Sequence, residues 1–228
     1  MFDKGCDKGC DKGLNHSVLE FAPHPRQSAR RQMNLPNKLT ISRFVLTVAF
    51  LAVIFSQSRY HETIALVLFC AASLTDYFDG KIAREQKLIT NFGVLMDPLA
   101  DKILVCSAFI AFVGIHKIEA WMVVVIVARE LAITGLRLLA ASRNVVLAAE
   151  GYGKHKTISQ ITAIIAILVL MSYREWGPIG QGIFGLPIFG KPWVVWFTPL
   201  AVWVSVALTF SSGCLYLWRN RRLYLDDM

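Results

Sequence analysis

Six stretches of this sequence are apolar over a length that suits a helix crossing a lipid bilayer, and only short polar breaks separate them. They run roughly over Leu39–Phe55, Ile64–Ala83, Phe92–Ile115, Trp121–Ala141, Thr157–Tyr173 and Trp193–Trp218. A spanning helix needs about 20 predominantly apolar residues. The first run is short, and the second and third end in charged motifs. A large water-soluble core also needs apolar residues, but it does not need six such runs in series. The chain of 228 residues is 55% hydrophobic and only 18% charged, with a mean hydropathy of +0.48, outside the usual range of soluble domains. The expected fold is therefore an all-α integral membrane protein with six transmembrane helices.

The charge is distributed unevenly along the chain. The net charge is +8, a balance that in a soluble protein would raise nucleic acid as a partner. Here its placement reads as topology, and no nucleic-acid partner is expected. If the breaks alternate sides, the N-terminal arm, the break around Lys81–Lys87, the break around Arg137–Lys156 and the C-terminal tail share one face. The other three breaks hold only Arg59, Lys117, Arg174 and Lys191 of the 24 Lys plus Arg. Cytoplasmic loops carry the Lys/Arg excess, so both termini and the break at Asp79 are expected to face the cytoplasm.

The N-terminal arm opens with a tandem repeat, "MFDKGCDKGCDKG". It has no apolar core that would make it a secretory signal, and no helical or strand period follows, so residues 1–32 are expected to be a disordered arm ahead of a membrane domain at 33–228. In "NLPNKLTISRF", Pro36 can open a helix at no hydrogen-bond cost. Leu35, Leu39 and Ile41 with Lys38 and Arg43 would make a short interfacial helix leading into the first span. The glycine-rich "WGPIGQGIFGLPIFGKP" is expected to break helix repeatedly and form the longest ordered loop. Cys70, Cys106 and Cys214 fall inside predicted helices, where a thiol behaves as a small apolar side chain. Cys6 and Cys10 lie in the arm predicted to be cytoplasmic, where a structural disulfide is not expected.

Four carboxylates stand out against this background. Asp76, Asp79, Gly80 and Ala83 follow one another at i, i+3, i+4 and i+7, and Gly93, Asp97 and Asp101 at i, i+4 and i+8. Each set lines one face of a helix and combines two carboxylates with residues that have little or no side chain. A glycine in a helix interior costs roughly 1 kcal/mol, which a ligand lying close to the backbone would justify. The short connection makes the two helices antiparallel neighbours, so the stripes can face each other. At about 4 Å and an effective dielectric near 20, each carboxylate pair repels by on the order of 4 kcal/mol. Hard divalent cations relieve this, and an oxygen-only ligand set suits Mg²⁺ or Mn²⁺. Four aspartates point to a two-ion site of the kind used on phosphates. The competing reading is a divalent cation carrier, since intramembrane carboxylates also mark ion paths, but that leaves the small residues unexplained.

In "WMVVVIVARELAITGLRLLAA", Arg129 and Glu130 are ionisable groups within an apolar run, which marks a function or a buried pair. Arg129, Ile133 and Arg137 fall at i, i+4 and i+8, and "GKHKT" brings Lys154 and Lys156 to the foot of the next span. These cations would form an anion pocket, with Arg suited to bidentate contact with phosphate. An acceptor bearing its own phosphate would use such a pocket.

The spacing D-x2-D-G-x2-A-R-x8-G-x3-D-x3-D is met at every position by Asp76, Asp79, Gly80, Ala83, Arg84, Gly93, Asp97 and Asp101. It resembles the signature of the CDP-alcohol phosphatidyltransferases. The resemblance implies a six-helix membrane enzyme, usually a homodimer, that moves a phosphatidyl or similar group from a CDP-linked donor to an alcohol and releases CMP. It implies that Asp76, Asp79 and Asp97 hold the metal pair, with Asp101 a further ligand or the general base. Gly80, Ala83 and Arg84 would lie against the CMP part of the donor. "NLPNKLT", "TDYFDG", "MDPLADK", "ARELAITGLR" and "GKHKT" together look like the branch that takes CDP-diacylglycerol as donor and sn-glycerol 3-phosphate as acceptor. Sister branches with another acceptor, for cardiolipin or an inositol phosphate, share the aspartates. The likeness begins near Asn34 and leaves out residues 1–32. Starting the chain at Met33 is expected to leave synthase activity in membranes within about tenfold of the full chain, because an arm without apolar periodicity has nothing to bury. A larger loss would give the arm a role in the enzyme.

Overall fold

The computed structural model describes the backbone over residues 35–86, 91–142 and 152–221, and the side chains over 41–75, 102–140 and 155–221. The chain divides into two units, Met1–Gln32 and Met33–Met228, and every described element belongs to the second. Six long helices appear there in the expected order: α1 Leu35–Ile54, α2 His61–Gln86, α3 Asn91–Gly114, α4 Ala120–Ser142, α5 Tyr152–Ser172 and α7 Trp193–Arg219. Between α5 and α7 lie a short helix, α6 (Gly177–Phe184), and two two-residue strands, β1 (Pro187–Ile188) and β2 (Lys191–Pro192). The strands pair antiparallel, Pro187 opposite Pro192 and Ile188 opposite Lys191.

Among the described residues, His155–Ser172 and Trp193–Arg219 are long and apolar enough to cross a membrane, while Ile41–Ile54, His61–Thr75 and Lys102–Gly114 are shorter apolar stretches. The outward surface is apolar as well. Val48, Val67, Ile110, Val124, Leu131 and Leu200 are all well exposed on the long helices, far more apolar surface than the single patch a soluble monomer tolerates.

The expected interfacial helix ahead of the first span is not a separate element. Leu35–Arg43 continues without interruption into α1. Pro36 sits in the first turn, where its missing N–H is not needed, and no Gly or Pro follows before Ile54 to end the helix.

Packing relies on large aromatics set among small residues. Phe50, Phe69, Phe109 and Phe112 are completely buried, and so are Ala65, Ala108 and Ala163. The Phe50 and Phe69 rings sit 6.0 Å apart at a tilt. Small residues let helices approach closely where lipid provides no hydrophobic drive for association. α1 packs against both α2 and α3, α5 packs against α2, α3 and α7, and α4 joins α3 to α7. In α7, Pro199 removes one backbone donor inside the helix, a break in the ladder. Beside it, Thr198 Oγ1 donates to Val194 O at 2.8 Å and to Ala166 O at 3.2 Å. The second bond crosses to α5 and ties the two helices at the break.

The start of α2 is anchored from the α5–α6 connection. Glu175 Oε2 accepts from the Thr63 backbone N at 3.2 Å and from the Thr63 hydroxyl, and Trp176 Nε1 donates to Thr63 Oγ1 at 2.9 Å. A carboxylate at a helix N-terminus satisfies a free N–H and complements the helix dipole.

The glycine-rich segment does not break helix throughout, as its composition suggests. Gly177 turns the chain at φ +60, Pro178 pre-sets the first turn, and α6 runs on to Phe184. The Phe184 ring lies 5.6 Å from Trp176 and 5.9 Å from Trp193, so aromatic contacts hold a helix whose own propensity is poor. At the hairpin, Gly190 (φ 77) adopts the left-handed region without penalty, but Phe189 also adopts it at φ 51. For a residue with a Cβ that conformation costs about 1–2 kcal/mol.

Gly180 marks where α6 meets α5. A Cβ there would lie 2.1 Å from the Tyr173 carbonyl oxygen, a backbone atom that cannot swing aside. Gly180→Ala is expected to destabilise by about 1–3 kcal/mol, the usual cost of overpacking, and to open the Trp176–Phe184 region to protease. Unchanged thermal unfolding and cleavage would show that α6 is not seated there.

Candidate functional site

The two acidic motifs fall on consecutive helices of the bundle. Asp76, Asp79, Gly80, Ala83 and Arg84 lie on α2, and Gly93, Asp97 and Asp101 on α3. Asp76 and Asp79 are about one turn apart, as are Asp97 and Asp101. α2 and α3 share α1 and α5 as packing neighbours. The side chains of all these residues, and that of Lys154 in the first turn of α5, lie outside the described residues. The donor set itself is all carboxylate oxygen on two helices, which fits a hard divalent cation.

The described part of the site begins one residue beyond Asp101. Lys102 Nζ reaches across to α4 and donates to Glu130 Oε2 at 2.6 Å. Glu130 is 3% exposed. Its other oxygen accepts from Lys156 Nζ, from Arg129 at 3.3 Å and from Gln160 Nε2 at 3.4 Å. Gln160 also donates to Thr209 Oγ1 at 3.1 Å, which extends the network to α7. One carboxylate thus gathers three cations, and the helices α3, α4, α5 and α7 meet around it.

Burial makes this arrangement obligatory. A lone carboxylate in an apolar interior is held only if paired and hydrogen-bonded. The converse holds for Lys156, which is 5% exposed. The neighbouring helix is shaped to fit. A Cβ on Gly213 of α7 would lie 2.8 Å from Arg129 Cγ, so glycine leaves the lane in which the Arg129 stem runs. Among the described residues Arg129 Nε is buried with no hydrogen-bond partner, a donor left over after Glu130 is satisfied. Arg137, two turns on, holds its guanidinium carbon 5.9 Å from the Tyr216 ring centroid of α7.

A cavity of about 60 Å³ opens beside Glu130, lined by Arg43, Ser73, Lys102, Lys156, Thr157 and Gln160 among others. Its polar wall sets Arg43, Lys102 and Lys156 beside the single carboxylate of Glu130, with hydroxyl and amide groups between, so cations outnumber anions among the described lining residues. Of the cations singled out in the sequence, Arg129 and Lys156 converge on Glu130, whereas Arg137 sits against Tyr216. Lys102, Gln160 and Thr209 belong to the same network and are not among the residues singled out from the sequence. Lys102 had a signal, since it directly follows Asp101 in "LADK". Gln160 and Thr209 carry no pattern that separates them from other polar residues in apolar helices.

Replacing Glu130 alone would strand three cations. Glu130→Leu is expected to cost about 3–5 kcal/mol, and adding Lys156→Met should return part of that loss. Thermal unfolding of the detergent-solubilised full chain measures both. A Glu130→Leu cost no greater than that of an exposed substitution would show that the network contributes nothing to stability.

The family model for CDP-alcohol phosphatidyltransferase matches residues 33–211. A Bacillus subtilis protein named CDP-diacylglycerol–glycerol-3-phosphate 3-phosphatidyltransferase is 40% identical over 201 residues, covering 82% of this chain and 95% of that protein. The Rickettsia prowazekii protein of the same name is 33% identical over 187 residues, with 82% and 95% covered. A Mycobacterium tuberculosis protein named probable phosphatidylglycerophosphate synthase is 35% identical over 195 residues, with 84% of each chain covered. The match takes in the acidic motifs of α2 and α3, the Glu130 network and most of α7, and the chain belongs to the CDP-alcohol phosphatidyltransferase family.

Proposed function

We propose that this protein transfers the phosphatidyl group of CDP-diacylglycerol to sn-glycerol 3-phosphate, giving phosphatidylglycerophosphate and CMP. The observation that carries this reading is the similarity over most of the chain to proteins bearing that name. The cationic wall around Glu130, one residue from Asp101, supports it.

In this reading Asp76, Asp79, Asp97 and Asp101 form the acidic centre. Asp76, Asp79 and Asp97 would hold two divalent ions, Mg²⁺ or Mn²⁺, and Asp101 would be a further ligand or the base. Such ions, when bound, supply neutralisation of charge on the donor diphosphate. Gly80, Ala83 and Arg84 would lie against the CMP moiety. The acceptor hydroxyl oxygen attacks the phosphatidyl phosphorus, the bond from that phosphorus to CMP breaks, and the hydroxyl proton passes to a carboxylate, with Asp101 or Asp97 the candidates. Phosphoryl-type transfer depends on positioning and charge more than on a covalent intermediate.

Arg129, Arg137, Lys154 and Lys156 would receive the acceptor's phosphate. Arg129 and Lys156 are both held by Glu130, so the acceptor would share these cations with a carboxylate. Six membrane crossings with both termini and the acidic centre at the cytoplasmic face, and a homodimeric assembly, complete the proposal.

The test is CMP release from CDP-diacylglycerol by the purified protein, with glycerol 3-phosphate and glycerol compared as acceptors. Asp76→Asn, Asp79→Asn and Asp97→Asn should each nearly abolish turnover, and a chelator should do so reversibly. Arg137→Ala should lose a charge-assisted hydrogen bond worth about 1.5–3 kcal/mol, a roughly tenfold to hundredfold fall in kcat/KM for glycerol 3-phosphate, with the KM for CDP-diacylglycerol little changed. Equal use of glycerol and glycerol 3-phosphate by the unaltered protein would overturn the acceptor assignment.

A further inference from the structure

The connection from α5 to α7 presents an apolar edge that the proposed reaction does not use. Ile179 and Ile183, one turn apart on α6, are exposed, and Leu186, Ile188 and Phe189 continue the exposed apolar surface through the hairpin. Phe189, at its tip, is 94% exposed, and its backbone is held in the left-handed region, which disfavours a bulky side chain. From Trp176 to Gly190 the sequence contains no charged residue. A loop that merely linked two helices through water would hide its apolar residues or dilute them with charge. This one displays them on a strained turn.

The edge is built rather than collapsed. Trp193 Nε1 donates to Ile183 O at 2.9 Å and Trp196 Nε1 to Ile188 O at 3.2 Å. Both tryptophans belong to the first turn of α7, and both acceptors lie in the apolar segment. Phe184 packs between Trp176 and Trp193, and Lys191 Nζ stands 5.7 Å from the Trp196 ring centroid. Two indoles therefore pin α6 and the hairpin to the top of a candidate span.

We propose that α6 and the β1–β2 hairpin form an interfacial anchor, whose edge of Ile179, Ile183, Leu186, Ile188 and Phe189 seats in the headgroup–acyl boundary of the leaflet where α5 ends and α7 begins. The occupant is lipid because the edge is continuous with exposed apolar residues of α7, Trp196, Phe197 and Leu200, at the end of a segment long enough to cross the bilayer. Tryptophan and lysine are the residues that gather at this depth, and a short helix with one apolar face lies in the plane of the interface. The hydrocarbon that Phe189 would enter is what offsets its strained backbone. The inference rests on the reading of α7 as a membrane span, and on no part of the acceptor assignment.

The test uses the full chain in vesicles of phosphatidylcholine and phosphatidylglycerol. Its native cysteines are replaced by serine or alanine, and one nitroxide is attached through Phe189→Cys, Lys117→Cys or Leu200→Cys. Collision with oxygen, which concentrates in lipid, is compared with collision with a water-soluble nickel chelate. Phe189→Cys is expected to favour oxygen over nickel several-fold more than Lys117→Cys, and Leu200→Cys to favour oxygen as well. If Leu200→Cys favours oxygen but Phe189→Cys behaves as Lys117→Cys does, the anchor is wrong and the membrane span stands. If Leu200→Cys itself favours nickel, the span reading fails and takes the anchor with it. If Phe189→Cys is shielded from both reagents and its spectrum broadens as the protein-to-lipid ratio rises, the edge belongs to a second copy of the chain, and the lipid assignment is overturned.

Discussion

Glu130 is the point on which the described interior turns. Its carboxylate is buried among apolar helices, and an ion in that setting is tolerated only with its hydrogen bonds filled. Lys102 supplies them from α3, Arg129 from α4 and Lys156 and Gln160 from α5, while Gln160 passes the network to α7 through Thr209. A half-filled network of this kind is worse than none. The relative placement of four helices is therefore restricted by one side chain more tightly than by the apolar contacts around it. Those contacts are non-directional, and in lipid they favour assembly only weakly.

The same constraint shapes the chemistry. Three cations and one carboxylate leave an excess of positive charge beside a cavity, one residue from the acidic motif of α3. In the proposed site this positive charge would stand beside the carboxylates of Asp76, Asp79, Asp97 and Asp101. An anionic substrate bound between them would find its charge complemented from both sides. Gly213 contributes without touching a ligand, because its missing Cβ is the room the Arg129 stem occupies.

Much of this was legible in the sequence, for identifiable reasons. Apolar length and Lys/Arg breaks located the six long helices to within a few residues, since both follow directly from the solvent around each segment. The acidic spacing was legible because a one-turn period is a property of the helix alone. Which cation meets which anion was not. Glu130 could be flagged as an ion out of place, but Lys102 and Gln160 reach it from two other helices and Thr209 joins through Gln160 from a third, and such contacts have no sequence period. The connection at Trp176–Pro192 departs from its composition in one respect, the helix α6, for a related reason. Its glycines predict a broken chain, whereas Trp176, Phe184 and Trp193 stabilise α6 through ring contacts that only the folded state brings together.

The length of α7 has a consequence for the membrane itself. Its 27 residues span about 40 Å at 1.5 Å per residue, against a hydrocarbon core of about 30 Å. α5, with 21 residues, reaches about 31 Å and matches that core. The two helices are tied side by side by Thr198 and Ala166, so they cannot both lie at the tilt that suits each alone. The surplus of α7 is taken up by tilt or projects from the hydrocarbon. Its last turns carry Tyr216, against which Arg137 rests. Where α7 projects from the hydrocarbon at this end, it forms a stem whose Tyr216 turn carries Arg137 with it. A thicker bilayer would submerge that stem, which makes membrane thickness a variable to which Arg137 is exposed.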